Sequence, residues 1–438
     1  MLRFFVFICF FSLFSTIISA KPVIFIPNDQ TNAFFALPQD EFDVAGANSE
    51  GLTAIVTENG IRQLKRNGIY FNTLKQDIEE IYTPLRNRVN RGTSSYHKYD
   101  ALVAELKSIA AQHSEIASLE SIGKSCQNRD IYAIKITGSS TAASKPAMLV
   151  CGLTHAREWI SMEVPLALIN KLVNSYGSDQ ELTKLVNERT VWVVPVINPD
   201  GLVYTQTTGD WRKNRRDNKD GTFGVDLNRN ADAKWGTAGD SGSTYSDTYR
   251  GKSAFSEPEL TALRDLARRE KMQSMISFHS YGELVLYPWG YTSSIHTADD
   301  AKLSKISKDM AKENSYTPEQ SADLYPASGD FCDWAYMENK CFAYTIELGQ
   351  DFVPTDSEVP SICDQNVKTS LVLLKATGQT SLNTESSISG NDCGYETELN
   401  QTLKNLFPDQ DLQALSKINP EPAENFEKIS KMTDTSGY

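Results

Sequence analysis

Four short apolar runs constrain what this chain can fold into more than any other feature: Ala147 to Leu153, Thr190 to Ile197, Met275 to Phe278 and Cys341 to Ile346. They read as buried strands. Segments with helical spacing alternate with them, such as residues 160–176 after the first run. That alternation predicts an α/β domain with a mostly parallel or mixed sheet covered on both faces. Ile131 to Ile136 alternates like a further strand, and Tyr99, Leu102, Val103, Leu106, Ile109 and Ala110 mark a helix before it. Ser256 with Glu259 predicts a capping box, with Pro258 in the first helical turn. This domain spans residues 94–378.

Three further segments flank it. Residues 1–20 have Arg3, an apolar run from Phe4 to Phe14 and a small-residue end at Ala20, the pattern of a secretory signal peptide. Residues 21–93 form a small region with a helical look through Ile61, Leu64, Ile69, Leu74, Ile78 and Ile81, and a helix stop at Asn67-Gly68. It ends in Arg86, Arg88 and Arg91 before a Gly/Ser/Thr linker, which suits proteolytic cutting. Residues 379–438 are a polar tail with ten acidic and four basic residues.

The net charge of −13 argues against a nucleic-acid partner. After the signal, no run offers the roughly 20 apolar residues of a membrane span. Secretion is therefore expected, with a lysosome or vacuole reached by the same route as the alternative. Signal removal leaves six cysteines, 126, 151, 332, 341, 363 and 393, and an even number in a secreted chain permits up to three disulfides.

The chemistry is carried by polar groups where the apolar runs stop, because ligands in open α/β sheets gather at strand ends. The chain has only five histidines. Two of them, His155 and His279, end apolar strands, and Glu158 lies one helical turn past the first. Two imidazoles and a carboxylate are a common catalytic zinc set. The third strand end, Thr345-Ile346-Glu347-Leu348, exposes a carboxylate that is costly in an apolar setting unless used. Beside zinc it can act as a general base. Arg212 and the run Asp226-Leu227-Asn228-Arg229-Asn230 offer fork-like binding of a carboxylate.

Taken together, Thr154-His155-Ala156-Arg157-Glu158-Trp159-Ile160, Asn198-Pro199-Asp200-Gly201, Trp211-Arg212-Lys213-Asn214-Arg215, the Asp226 run, Phe278-His279-Ser280-Tyr281, Leu324-Tyr325-Pro326-Ala327-Ser328-Gly329 and Thr345-Ile346-Glu347-Leu348 resemble, in order, the motifs of the secreted pancreatic carboxypeptidase A/B family. The resemblance covers Tyr96 to Thr377. It implies a mixed eight-stranded sheet with helices on both faces, preceded by a small α+β propeptide region, and one Zn2+ held by His155, Glu158 and His279. It implies that Glu347 is general base and then general acid, and that Arg212 polarises the scissile carbonyl. Asn228, Arg229 and Tyr325 would hold the substrate's free C-terminal carboxylate, with Arg157, Tyr281 and Trp159 supporting the peptide. The pocket for the last side chain would be lined by Leu286, Gly290, Gln320, Ala327, Asp330, Cys332 and Thr345. Cys332 and Thr345 suggest an apolar or aromatic preference, which Asp330 could broaden to Lys or Arg. The implied partners are peptides with a free C-terminus and an activating endoprotease, and the implied form is a monomeric zymogen. The alternative of another class is a secreted pseudo-enzyme that binds peptides without cutting them.

Overall fold

The computed structural model describes residues 20–48, 50–139 and 144–379. The expected signal peptide (save Ala20), the acidic tail (save Gln379) and Cys393 lie outside the described residues.

The N-terminal unit runs β1 (Val23–Pro27), α1 (Asn28–Phe35), β2 (Phe42–Asn48), β3 (Gly51–Val56), α2 (Glu58–Arg66), β4 (Asn72–Lys75) and α3 (Glu79–Arg91). Its sheet has the order β2-β3-β1-β4. Strand side chains alternate between faces. Ile24, Ile26, Leu52, Ala54 and Val56 pack with Phe34, Phe42 and Leu64 into a core of its own. Val23 and Ile55 join the larger core instead, with Ile78, Tyr82, Leu85 and Val89 from α3 and its approach. The expected helical stretch from Ile61 to Ile81 is in fact two helices separated by β4, on which Leu74 is exposed. Asn67-Gly68 does stop α2: Asn67 is its C-cap and Gly68 turns left-handed at φ 67°.

The larger part continues with α4 (Tyr99–Gln112), β5 (Ala117–Lys124), β6 (Asp130–Ile136), β7 (Ala147–Cys151), α5 (Ile160–Ser175), α6 (Gln180–Glu188), β8 (Thr190–Val194), α7 (Pro199–Thr207), α8 (Pro258–Glu270) and β9 (Ser274–His279). β10 (Leu284–Tyr287), α9 (Asp300–Asn314), β11 (Thr317–Gln320), α10 (Ser321–Leu324), α11 (Phe331–Asn339), β12 (Phe342–Glu347) and α12 (Val359–Ala376) complete it. Its sheet has eight strands in the order β11-β10-β12-β9-β7-β8-β6-β5. The central four, β12, β9, β7 and β8, are parallel. Met148, Val150, Ile276 and Phe278 face the core shared with α4, α5, α9 and α12. Leu149, Cys151, Met275 and Ala343 face the opposite core under α8 and α11. The sheet is thus mixed and covered on both faces.

Two local expectations need correction. The N-cap of α8 is Glu257, without a side-chain cap bond, because Ser256 and Glu259 are drawn elsewhere: Asn230 donates to the Ser256 hydroxyl, and Glu259 accepts from the Cys126 N–H. Among the described residues no disulfide forms. Cys126, Cys151, Cys332, Cys341 and Cys363 are all free thiols, three of them buried in a core large enough to hold without cross-links.

The segment joining the two parts is pinned by His97. Its N–H and Nδ1 each lie 2.7 Å from Glu163, and Nε2 lies 3.2 Å from Glu105. The Glu163 hydrogen bond, against burial, raises the His97 pKa. With the folded value above the unfolded one, the stabilisation is full below the unfolded pKa and lost as pH rises through the folded pKa. Because the ring is a third exposed, it is worth less than about 1 kcal/mol. His97→Gln is expected to lower Tm by up to about 1 °C near pH 5 and by less near pH 8.5, measured by calorimetry.

Candidate active site and zinc centre

Three parallel strands deliver the site to one edge. β7 ends just before Gly152, where an added Cβ would stand 1.9 Å from the Ser161 carbonyl, so only glycine lets the following loop turn against α5. That loop carries His155 and Glu158. β9 ends at His279, and Glu347 at the end of β12 lies directly opposite it in register. Asn198, the N-cap of α7 after β8, donates to the carbonyls of Thr154 and Lys213 at 3.2 and 3.0 Å. The Ala156 N–H donates to the Arg212 carbonyl at 2.9 Å. These bonds fix Arg212 against the His155 loop.

His155, Glu158 and His279 are all buried and offer ligand atoms within 4.8 Å of one another. His155 Nδ1 lies 2.7 Å from Glu158 Oε1 and 3.2 Å from His279 Nδ1, and His279 Nδ1 is 3.1 Å from Glu158 Oε2. Two ring nitrogens facing each other beside a carboxylate, sealed from water, form a site that calls for a cation. The outward nitrogens are held: His155 Nε2 is 3.2 Å from Asp226 Oδ1, and His279 Nε2 is 3.0 Å from Ser277 Oγ. Orientation of each ring from behind suits a metal ligand. Burial opposes ionisation of Glu158, yet His155 and His279 hold its carboxyl well below the usual range.

The Glu347 carboxylate accepts no hydrogen bond among the described residues, and burial pushes it up to about 8 despite nearby His279. Arg212 donates from Nε and Nη2 to Asp226 Oδ2 at 3.1 and 2.9 Å. Asp226 therefore ties His155 and Arg212 together. Burial opposes its charge, but Arg212 and His155 keep it ionised. Sequence reasoning assigned no role to Asp226 or Ser277. A carboxylate heading the run Leu227 to Arg229 was the available signal for the first, and Ser277 gave none.

Arg229 donates to the carbonyls of Gly239 and Asn228, and its Nη2 lies 3.5 Å from the Tyr325 hydroxyl. Gly329 turns at φ 77° against the Arg229 carbonyl, 2.2 Å from where a Cβ would sit. Asn228 is half-buried beside it. Leu286 pairs with Thr345 across β10 and β12, and Cys332 lies 3.4 Å from the Thr345 hydroxyl. Gln320 binds the carbonyls of Trp289 and Thr292, and the Ala327 N–H meets the Gly290 carbonyl. Asp330 caps α11 by accepting from the Asp333 N–H with one oxygen. No cation pairs with it among the described residues.

One expected position differs, and a second is covered. Trp159 is fully buried, its Nε1 bound to the Ala156 carbonyl and the Thr205 hydroxyl, so it packs the core and does not face a peptide. Arg157 is also fully buried, because the N-terminal unit covers it. Asp43 of β2 bonds its Nη2 and lies 3.5 Å from Arg212 Nη1, and the Tyr82 hydroxyl donates to the Arg157 carbonyl. Gly46 of β2 backs onto Tyr281, and Phe35 of α1 stacks on Tyr325 with centroids 6.2 Å apart. Phe35, Asp43, Arg229 and Tyr325 together line a cavity of about 250 Å3.

A buried pair of imidazoles and a carboxylate, oriented from behind, at the C-terminal ends of the sheet's central parallel strands and beside a raised glutamate, is the donor arrangement of a hydrolytic zinc centre. Residues 102–369 match the zinc carboxypeptidase family. Carboxypeptidase A2 of Mus musculus is 32% identical over 306 residues, 65% of this chain and 72% of its own length. Mast cell carboxypeptidase A of Homo sapiens is 30% identical over 343 residues, 75% of this chain and 81% of its own. The solved structure of a carboxypeptidase A from Helicoverpa armigera superposes with a TM-score of 0.75 at 26% identity, covering 83% of this chain and 99% of its own. The chain belongs to the zinc carboxypeptidase family: it is a metallocarboxypeptidase, with Zn2+ as cofactor and peptides with a free C-terminus as substrates.

Proposed function

We propose that His155, Glu158 and His279 hold the zinc, that Glu347 and Arg212 perform the chemistry, and that the protein is made as a latent precursor. The convergence of the three ligand groups with Glu347 in register beside His279 carries the reading. Bound zinc supplies Lewis-acid chemistry that eases attack by water on the peptide carbonyl. Glu347 takes a proton from the attacking water and passes it to the departing amine nitrogen; a carboxyl raised by burial suits both transfers. Arg212, held by Asp226, donates N–H groups to the carbonyl oxygen as negative charge grows there. Asn228 and Arg229 take the C-terminal carboxylate, and Tyr325 closes over it. An internal peptide bond would leave these buried donors unpaired, which accounts for cutting only at the chain end.

Residues 21–93 act as a propeptide. They cover Arg157, Tyr281 and Tyr325, and α3 ends at Arg91-Gly92, an exposed site for a trypsin-like endoprotease. Secretion as a monomer, with the tail as an appendage, completes the reading. Among the described residues no helix is long and apolar enough to cross a membrane.

The test is release of a single residue from a blocked dipeptide by the chain after trypsin treatment. The free acid should be cut and the C-terminal amide spared by at least about 100-fold. Equal cutting of both would overturn the exopeptidase assignment.

The side-chain pocket, with Leu286, Gly290, Ala327, Cys332 and Thr345, favours apolar or aromatic C-terminal residues, and Asp330 lets it accept Lys or Arg more weakly. Asp330→Ala is expected to lower kcat/KM for a C-terminal Lys about tenfold and to spare C-terminal Phe within about threefold. Profiling residues released from a peptide mixture reads both. An unchanged Lys-to-Phe ratio removes Asp330 from the specificity assignment.

A further inference from the structure

We infer that Asp210 and Asp247 form a subsite for a lysine or arginine side chain of the substrate upstream of the bond that is cut, and that Lys21 fills it in the uncut chain. This rests on the peptidase reading and on departure of the N-terminal unit. Lys21 Nζ lies 2.9 Å from Asp247 Oδ2, so an ammonium from the N-terminal unit is seated on a carboxylate of the larger part. Asp210 is the second observation. Both of its carboxylate oxygens are sealed from solvent and have no hydrogen-bond partner among the described residues. The charges around Asp210 are Arg157, Lys21, Asp247 and Asp43. Lys213, which acts on Asp247, is committed to the carbonyls of Thr244 and Ser246 at 3.0 and 2.8 Å.

When the N-terminal unit leaves, Lys21 and Asp43 leave together. Asp247 then loses its bonded ammonium and Arg157 its bonded carboxylate, while Asp210 had no bonded cation at the outset. Water reaches the pair once the N-terminal unit lifts, and a carboxylate covered again without a partner is costly, so the pair is set to accept a cation from whatever next covers the site. A peptide held at Arg229 by its C-terminal carboxylate has one residue beyond the scissile bond, and the rest of it runs upstream. Asp210 feels the charges of Arg157 and Asp43, and Asp43 touches both Arg157 and Arg212. Groups bordering Arg212 outside the carboxylate pocket therefore meet upstream residues. Lys21 stands in for the side chain that binds there, and Arg157 is free to take a backbone carbonyl.

The experiment uses blocked hexapeptides ending in Phe, with one Lys moved through the second to fifth positions from the C-terminus and Gln as the neutral partner. They are assayed with the trypsin-cut chain at low ionic strength. At one position Lys is expected to raise kcat/KM about tenfold over Gln. That ratio should fall to about twofold or less in Asp210→Asn/Asp247→Asn, and partly in Asp247→Asn alone. Asp210→Asn keeps the size of the side chain and breaks no bonded ion pair. Binding of the same peptides to the cut Glu347→Gln variant, read by fluorescence anisotropy, reports the preference without turnover. Equal rates and equal binding for Lys and Gln at every position overturn the subsite, as does a Lys preference that survives in the double variant. Absence of hydrolysis together with preferential Lys binding overturns the peptidase roles and upholds the subsite.

Discussion

Replacing Glu347 with glutamine is expected to lower kcat/KM of the cut enzyme for a blocked dipeptide at least about a thousandfold while zinc stays bound. The amide keeps the size of the side chain but cannot accept the proton that attacking water must lose. Glu347 lies opposite His279 at the end of β12 and is not one of the three convergent ligand groups, so the metal content should not change. Zinc removal separates the two contributions. Chelation should abolish wild-type activity, and added Zn2+ should restore it. Added Zn2+ should leave Glu347→Gln inactive with a wild-type metal content by atomic emission. A variant retaining a tenth of the wild-type rate would show that another group moves the proton.

The second large effect concerns latency. Asp43→Asn should raise hydrolysis of a small substrate by the uncut chain roughly 100-fold relative to the uncut wild type. Asp43 is the carboxylate between two guanidinium groups, bonded to Arg157 and 3.5 Å from Arg212 Nη1, and all three residues are buried. Breaking a buried pair by removing one partner costs about 3 kcal/mol, because the remaining charge is left uncompensated. That cost falls only on the covered state, since the guanidiniums regain water when the N-terminal unit lifts, and 3 kcal/mol is about two powers of ten in the open fraction. After trypsin the variant and wild type should be equally active. An uncut Asp43→Asn chain as silent as wild type would show that coverage by Phe35 and Gly46 suffices without the charge.

Much of the fold was legible in order. The strands from Ala147, Thr190, Met275 and Cys341 appear within a few residues of where their apolar runs lie, because a strand buried on both faces must be apolar along its length, and the strand from Ile131 showed by alternation. β4 was not legible: its four residues are all exposed, so no burial pattern marks them. The capping box at Ser256 failed because a local signal lost to partners from afar, Asn230 and Cys126. Trp159 was misread for a related reason. It follows Glu158 by one residue, yet its side chain turns into the core, and proximity in sequence to a ligand residue does not determine side-chain direction.

Taken alone, the order of residues determined which side chains end apolar strands, since a polar group there must be paired or used. That was enough to single out His155, His279 and Glu347. Only the tertiary structure decided that Asp226 joins His155 to Arg212, that Asp43 closes over Arg157, and that Asp210 is buried without a partner. Those contacts join residues 14 to 114 positions apart, and a charge far away in sequence leaves no mark on local periodicity or composition until folding removes the water between the two groups.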